Sequence, residues 1–461
     1  MAAPVSEPEV QELFRQRRYG ELRRRLVAAD VPEIADIIEE LPAPDDLGVF
    51  RLLPQERATE VFEHLEPEKQ RELIERLARE REWLTELLNE MSPDDRTALL
   101  EELPGPIVQR LISLLTPEER RIAVRLLGYP EDSIGRLMTT EYVALRPHWT
   151  VRQALDHIRR FGKDSETLNV VYVVDDKWRL LDDLKTRELL LADPDARIAD
   201  LMDNRFVALR ATDDQETAVE VFREYDRVAL PVIDSKGVLL GIVTVDDVLD
   251  VAEEEATEDI QKIGGSEALD ESYLATPVPE LVKKRARWLI VLFLGEMLTA
   301  TAMRYFEEEI ARAVVLALFV PLIISSGGNS GSQATTLIIR AMSLGEVRLR
   351  DWWRVMFREA ISGLSLGLIL GAIGFARIAV WHHVFGLYGE HWILVGIVVA
   401  IALVGVVLFG TLAGSMLPFL LRRLGADPAT ASAPFVATLV DVTGVLIYFG
   451  VAAVLLRGSL L

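Results

Sequence analysis

Hydrophobic and polar positions follow different patterns in successive parts of this 461-residue chain. In residues 1–130, apolar side chains recur at steps of three and four, which predicts amphipathic helices. Residues 131–252 carry short runs of Val, Leu and Ile between turn residues, which predicts strands alternating with helices. Residues 285–461 contain long apolar segments, which predict membrane-spanning helices. We therefore expect a multidomain protein with an α domain, an α/β domain, a connecting linker at 253–284 and an α-helical membrane domain.

The helices of the first segment are short, and their starts are well marked. Ser92-Pro93 and Thr116-Pro117 each place a hydroxyl side chain before a proline, and two acidic residues follow directly. This combination is typical of a helix N-terminus. A succession of such helices predicts a helical superhelix, with a generic helical bundle as the alternative.

A duplication with a period of 64 residues occupies most of the second segment. Leu137-Met138 in the first copy matches Leu201-Met202 in the second, and the run VALRP matches VALRA. Each copy predicts a strand, a helix, a β-hairpin and a helix. The copies, at about 137–196 and 201–252, resemble a tandem pair of CBS domains, which are regulatory α/β modules.

The apolar half contains five candidate membrane spans, separated by loops of unequal charge. Basic residues are concentrated before the first span, between spans two and three, and between spans four and five. The positive-inside rule makes these loops cytoplasmic. We therefore expect the large N-terminal half to be cytoplasmic and the C-terminus to lie outside, in a multi-pass protein of the cell's inner membrane. The predicted spans are 286–305, 313–338, 358–381, 392–420 and 433–456.

The net charge of −22 belongs to the N-terminal half. Residues 285–461 carry about +3 and the rest of the chain about −25. An acidic surface argues against nucleic-acid binding, whereas carboxylates suit hard cations such as Mg²⁺. The chain has no cysteine, which excludes disulfides and thiolate metal sites. No nucleophile–base pair or phosphate-binding glycine loop is evident, so we do not expect an enzyme.

Two carboxylates interrupt the apolar spans. Asp441 lies within the fifth span and Glu296 near the middle of the first. A charged side chain at the bilayer centre costs about 2.5 kcal/mol or more, so such residues mark ion paths or buried partners. We interpret Asp441 as an ion site, with a structural salt bridge as the alternative. For Glu296, a pathway role and an interhelical hydrogen bond both remain open.

The second span contains the polar, glycine-rich run SSGGNSGSQATT. Irregular backbone at membrane depth is tolerated only inside protein or beside a watery cavity. We therefore predict an irregular segment at which Gly328 and Asn329 line a pore through freed carbonyl groups. The alternative is close helix packing through small residues.

Acidic residues of the CBS region and the linker are candidates for a cation sensor. Singly, most acidic residues are surface charges, but repulsion between like charges four residues apart on a helix is relieved when a cation binds. The candidates from the residues are Asp214, Glu216, Asp226, Asp247, Asp250, Glu255, Glu258 and Asp259.

These features together resemble the MgtE magnesium channels over essentially the full length. The motifs that carry the resemblance are ATEDIQKIG (256–264), the glycine-rich run of span two and PFVATLVDVTGVLIY (434–448). The resemblance implies a homodimer in which Asp441 occupies the position of a selectivity aspartate for hydrated Mg²⁺. It also implies that Mg²⁺ bound among the cytosolic acids closes the channel through a plug helix.

The chain departs from the family's pattern at several positions. Ser332 and Ala433 replace residues that are commonly Asn, and Glu296 replaces a small residue, which leaves the ion coordination and the selectivity among divalent cations open. In the first CBS repeat, Asp182 stands where a Gly is typical, and Glu188 stands where an Asp often contacts the ribose of a nucleotide. The second repeat keeps Thr244 and Asp247 as candidates, so ATP binding is left open.

Three functions are therefore weighed. The leading one is a Mg²⁺ channel for magnesium uptake that cytosolic Mg²⁺ closes. The alternatives are a proton- or sodium-coupled carrier of divalent cations, with Glu296 or Asp441 as the proton site, and a non-conducting membrane sensor of metal or nucleotide.

Overall fold

The structure is a computed structural model that describes residues 6–77, 81–101, 103–269, 273–274, 276–308 and 314–456. Its residues divide into two compact units, Met1–Glu253 and Glu254–Leu461.

The first unit begins with short helices that pack around one apolar core. Phe50, Phe62 and Leu73 are fully buried in it, as amphipathic helices require. The helix starts predicted at Pro93 and Pro117 are confirmed. The helices are α1 (Glu7–Arg15), α2 (Tyr19–Ala28), α3 (Val31–Glu40), α4 (Asp45–Phe50), α5 (Gln55–Glu63), α6 (Pro67–Leu77), α7 (Arg81–Glu90), α8 (Pro93–Glu101), α9 (Gly105–Ile112) and α10 (Pro117–Leu126).

Two three-stranded sheets follow, one from each copy of the duplication. In each sheet the first strand pairs parallel to the second, and the second pairs antiparallel to the third in a hairpin. The predicted CBS-like unit is therefore confirmed. The first copy comprises α11 (Ile134–Leu137), β1 (Ala144–Leu145), α12 (Val151–Phe161), β2 (Val170–Val174), β3 (Leu180–Lys185) and α13 (Thr186–Leu191). The second comprises α14 (Ile198–Leu201), β4 (Leu209–Arg210), α15 (Gln215–Tyr225), β5 (Ala229–Ile233), β6 (Leu239–Thr244) and α16 (Val245–Ile263).

The turns of the two hairpins hydrogen-bond to each other. The Leu180 amide donates to the Gly237 carbonyl at 3.0 Å, and the Leu239 amide donates to the Trp178 carbonyl at 3.0 Å. This reciprocal pair gives the two repeats a pseudo-two-fold relation.

The second unit contains five helical segments long and apolar enough to cross a membrane, among the residues described. They agree with the predicted number, and most extend a turn or more beyond the predicted bounds because the basic loops continue as helix. The helices are α17 (Val278–Tyr305), α18 (Val314–Ala317), α19 (Val320–Ser343), α20 (Trp352–Phe385), α21 (Trp392–Arg423) and α22 (Ala433–Leu455). Short 3₁₀ turns lie at Gly162–Asp164, Leu349–Asp351 and Pro428–Thr430.

The irregular backbone predicted for the second span is wrong, because α19 is a continuous α-helix. Its glycines bring the helix against α21. A β-carbon on Gly410 would lie 2.3 Å from the Gly327 carbonyl oxygen, and one on Gly414 would lie 2.2 Å from that of Gly331. Close packing through small residues therefore accounts for the glycines, and the carbonyls of this run are engaged in the helix.

Candidate functional site

Asp441 lies half-buried on α22 near its contact with α19. One turn earlier on α22, Ala437 approaches Gly328, where a β-carbon would lie 3.6 Å from the Ala437 β-carbon. In the part of the chain that the structure describes, Asp441 forms no ion pair. The charged side chain that acts on it electrostatically is Glu296 of α17. The two intramembrane carboxylates thus lie within range of each other.

The C-terminal half of α22 differs from the part around Asp441. Gly444 and Tyr448 are buried within the helix bundle. The Tyr448 hydroxyl donates a 2.9 Å hydrogen bond to the Leu316 carbonyl, so its polar atom is satisfied inside the protein. Asp441 forms no such bond with any residue described.

The start of α22 brings together two of the positions at which the chain departs from the family's pattern, Ser332 and Ala433. The Ser332 hydroxyl donates to the Ala433 carbonyl at 3.2 Å. Directly before α22, the Ser432 hydroxyl accepts the Phe435 amide at 3.3 Å and the Trp288 indole N–H at 3.0 Å. Ser332 therefore binds backbone here. Asn329, three residues earlier on α19, is exposed.

The last turns of α16 are bound to residues of its own unit. The Lys262 ammonium lies 2.8 Å from an oxygen of Asp427 and also pairs with Glu258. The Ser343 hydroxyl donates to Asp259 at 2.7 Å. Two of the three acids predicted as sensors on this segment, Glu258 and Asp259, are thus engaged by neighbouring side chains.

The predicted sensor acids of α15 do not form one site. Asp214 caps the start of the helix by accepting the Glu216 amide at 2.9 Å. Asp226 ends the same helix in a left-handed conformation, with φ of 49°. Because α15 has 11 residues, the two ends lie about 16 Å apart. Asp214 and Asp226 therefore have separate environments.

Asp247 lies in a more strongly acidic environment. The Thr244 hydroxyl donates to it at 2.6 Å, so these two candidates for nucleotide binding bond each other. Burial, together with repulsion from Asp246 and Asp95, raises the pKa of Asp247 to about 7. Burial and Asp246 also raise the pKa of Asp250.

Sequence reasoning missed the acidic residues that face Asp247 from the helices of the first segment. Burial, then Asp247 and Asp95, raise the pKa of Asp94 well above its usual range. One Asp94 oxygen is buried and has no hydrogen-bond partner among the residues described. Burial, then Asp95, raise the pKa of Glu63 to about 8. The sequence carried only one signal, the acidic pair after Pro93, and it is equally typical of a helix start.

Two further acids complete the group, which we call the interdomain acidic cluster. Burial and repulsion from Glu166 raise the pKa of Glu141 to about 7, and burial and Asp246 raise that of Glu166. In the described ranges, no three acidic or histidine side chains converge closely enough to hold a metal by themselves. The cluster is Glu63, Asp94, Asp95, Glu141, Glu166, Asp246, Asp247 and Asp250.

Family models cover most of the chain. Residues 320–451 match MgtE, described as a divalent cation transporter. Residues 29–132 match the MgtE intracellular N domain, and residues 134–194 and 198–254 match the CBS domain.

Relatives and solved structures agree with the family models. The chain is 42% identical over 450 residues to the magnesium transporter MgtE of Thermus thermophilus, covering 97% of this chain and 98% of that one. It is 30% identical over 448 residues to the magnesium transporter MgtE of Bacillus subtilis, covering 94% and 97%. A crystal structure of the cytosolic domain of the Mg²⁺ channel MgtE with ATP matches with a TM-score of 0.51 and 39% identity, over 53% of this chain and all of that one. The soluble part of a magnesium transporter matches with a TM-score of 0.51 and 31% identity, over 54% and 98%.

Proposed function

Because the chain belongs to the MgtE family, we propose that it is a Mg²⁺ channel that cytosolic Mg²⁺ closes. The observation that carries the proposal is Asp441, an intramembrane carboxylate without an ion pair among the residues described. Mg²⁺ dehydrates reluctantly and keeps most of its waters. One carboxylate from each of two copies, acting through those waters, suits such an ion better than a dry cage does.

The exposed first span supports a dimer. No residue of the most apolar part of α17 is buried within one copy, and Glu296 is exposed on it. A carboxylate facing lipid at this depth is unfavourable. We therefore place Glu296 toward water or a second copy, as an accessory carboxylate of the ion path with Asp441. Gly328 and Asn329 belong to the same path by their place on α19.

The interdomain acidic cluster supports the proposed regulation by Mg²⁺. Like-charged carboxylates in a partly buried site repel, and each ionised group bears a desolvation cost. Mg²⁺ needs only one or two protein carboxylates and brings its own waters. The unpartnered Asp94 oxygen beside Asp247 fits that requirement. Bound Mg²⁺ would hold the first-segment helices on the CBS pair, and α16 continues from that pair into the second unit.

Thr244 and Asp247, the candidates for nucleotide binding, are engaged in other bonds. Thr244 and Asp247 hydrogen-bond each other. Asp182, which replaces a glycine, is buried and accepts the Asp203 amide at 2.8 Å and the Asn204 amide at 2.9 Å. Its carboxylate is therefore committed to the loop before β4. We therefore do not place a nucleotide at Thr244 and Asp247.

Flux into proteoliposomes tests the proposal. The full chain is reconstituted, and Mg²⁺ uptake is followed with an indicator dye while Mg²⁺ on the sensor side is varied. We expect uptake that falls as this Mg²⁺ rises, and uptake at background in Asp441→Asn. Glu296→Gln is the matched intramembrane change, with reduced but measurable uptake expected.

The other functions give different results. Uptake that Asp441→Asn leaves unchanged would contradict the pore assignment. Uptake that needs a proton or sodium gradient would indicate a coupled carrier. No uptake at low Mg²⁺ by folded, dimeric protein would indicate a membrane sensor. Size-exclusion chromatography and thermal unfolding establish folding for each variant.

A further inference from the structure

An open-sided cavity of about 380 Å³ lies between α10 and the hairpins of both CBS-like repeats. Its size is in the range of small-molecule sites. It shares no lining residue with the interdomain acidic cluster, with Thr244 or with Asp441, so the proposed transport function leaves it unexplained. Its lining includes Arg121, Arg125, Thr140, Tyr142, Trp178 and Leu239.

Trp178 occupies a backbone conformation that does not favour it. Its φ is 63°, in the left-handed region where a bulky side chain is an outlier. The equivalent turn of the second repeat has Gly237, with φ of 80°. The two turns are otherwise alike, because Asp175 and Asp234 each accept two backbone amides at 2.8 Å. The geometry of the turn therefore favours glycine, and Trp178 occupies it at a conformational cost.

The indole is held in a fixed orientation at the cavity. Its N–H donates to the Tyr142 hydroxyl at 3.0 Å. The Arg146 guanidinium lies 4.7 Å from the ring centroid, a cation–π contact. The side chain is nonetheless 41% exposed. Trp178 and Tyr142 therefore present an ordered, accessible aromatic surface rather than a packed core.

The opposite wall carries uncompensated positive charge. Arg121 and Arg125 are exposed, lie one helical turn apart on α10, and form no ion pair with any residue described. Like charges at this spacing destabilise a helix. The absence of a partner is notable in a half-chain with about 25 surplus acidic charges. A guanidinium pair of this kind is suited to phosphate oxygens.

We propose that this cavity binds a nucleoside phosphate. The phosphates are bound by Arg121 and Arg125, and the base lies against Trp178 and Tyr142. The site joins the last helix of the first segment to both CBS-like repeats. A ligand there would hold the same two parts together as the interdomain acidic cluster does, through different residues.

Calorimetry of the full chain in detergent, titrated with ADP, tests the proposal. Trp178→Gly is the decisive variant because the second repeat already has glycine at this turn. We expect ADP to bind Trp178→Gly at least about tenfold more weakly, while its unfolding temperature is unchanged or higher. Arg121→Gln combined with Arg125→Gln should weaken ADP binding by a similar factor. Thr244→Ala is the matched control in the CBS pair and should leave ADP affinity unchanged.

Three outcomes would overturn the proposal. The first is that the unaltered protein does not bind ADP. The second is that Thr244→Ala abolishes ADP binding while Trp178→Gly retains it, which would place the nucleotide in the CBS pair. The third is that inorganic phosphate binds as tightly as ADP and Trp178→Gly has no effect on either, which would make the cavity a simple anion site. Because each readout is binding, none depends on whether the protein conducts Mg²⁺.

Discussion

At the scale of single residues, the contact between α19 and α21 depends on the absence of side chains. Gly410 and Gly414 meet the carbonyl groups of Gly327 and Gly331 at distances that leave no room for a β-carbon. In a membrane, helices gain no hydrophobic driving force from packing on one another, so close approach of backbones supplies the attraction. The buried Thr335 hydroxyl adds a bond to the Gly414 carbonyl at 2.9 Å.

Gly410→Ala should therefore destabilise the membrane domain. The new methyl group would meet backbone rather than a flexible side chain, so the helices must separate, at a cost of roughly 1–3 kcal/mol. Thermal unfolding in detergent measures the change. Gly450→Ala on α22 is the matched control, because a β-carbon there meets nothing within 4 Å. Equal unfolding temperatures for the two variants would contradict the packing argument.

At the scale of elements, the sequence predicted those features that follow from local patterns. The apolar runs of the five spans and the repeated strand–helix–hairpin units were evident because length and periodicity depend on neighbouring residues. The regular α19 was not, because the glycine run reads equally as a helix break or as a packing face. Only its partner, the glycines of α21, distinguishes the two.

The sequence did not predict the acidic residues around Asp247, because their proximity depends on contacts between distant parts of the chain. Glu63 and Asp94 belong to helices far away in sequence, and each looks like an ordinary surface acid on its own segment. Asp94 faces Asp247, and Glu63 faces other acids of the cluster, only because of how the first-segment helices pack on the CBS-like pair. Asp441, by contrast, is a candidate from its own surroundings alone, since a carboxylate in an apolar span is anomalous whatever lies near it.

The C-terminal end of α16 is the element through which we expect gating to act. Lys262 forms ion pairs with both Glu258 and Asp427. The side chain of Lys262 is 29% exposed and that of Asp427 is 38% exposed. Lys262→Met should weaken this attachment by roughly 1 kcal/mol, or about fivefold in the ratio of closed to open channels. The expected result is higher Mg²⁺ uptake at closing concentrations of Mg²⁺, measured in proteoliposomes.

Lys236→Met, on an exposed hairpin turn of the same half-chain, removes the same charge and should not change uptake. If Lys262→Met closes at the same Mg²⁺ concentration as the unaltered protein, the attachment of α16 does not control the pore. Maximal uptake at low Mg²⁺ separates a gating effect from damage to the pore itself, because it should be the same in all three proteins.

At the scale of the whole molecule, the surplus of acidic residues is confined to the N-terminal part of the chain, residues 1–284. The membrane domain carries a small positive charge and the remainder about −25. Part of that negative charge is concentrated in the interdomain acidic cluster, where burial and mutual repulsion raise the pKa of Glu63 to about 8 and those of Glu141 and Asp247 to about 7. Protons and Mg²⁺ should therefore both stabilise this half of the protein, because each reduces the repulsion within the cluster.

The sign of the pH dependence follows from these shifts. Unfolded carboxyl groups release their protons near pH 4 to 4.5, whereas the folded cluster retains them to about pH 7 or 8. Over that window the folded state binds more protons, so its stability falls as pH rises. In metal-free buffer, we expect the unfolding temperature of the cytosolic half to rise as pH is lowered from 8.5 to 6. Saturating Mg²⁺ at pH 8.5 should restore most of the difference, because it neutralises the same carboxylates.

Variants of the cluster separate this effect from a general response of an acidic protein. Glu63→Gln combined with Asp94→Asn removes one half-buried and one buried charge, so it should raise the metal-free unfolding temperature at pH 8.5 and flatten the dependence on both pH and Mg²⁺. Asp176→Asn removes an exposed charge outside the cluster and should keep both dependences. A pH dependence equally steep in all three proteins would mean that net charge, rather than this cluster, governs the stability. That result would contradict the proposal that the cluster is the Mg²⁺ sensor. It would not affect the assignment of Asp441 to the pore, which the flux measurement tests separately.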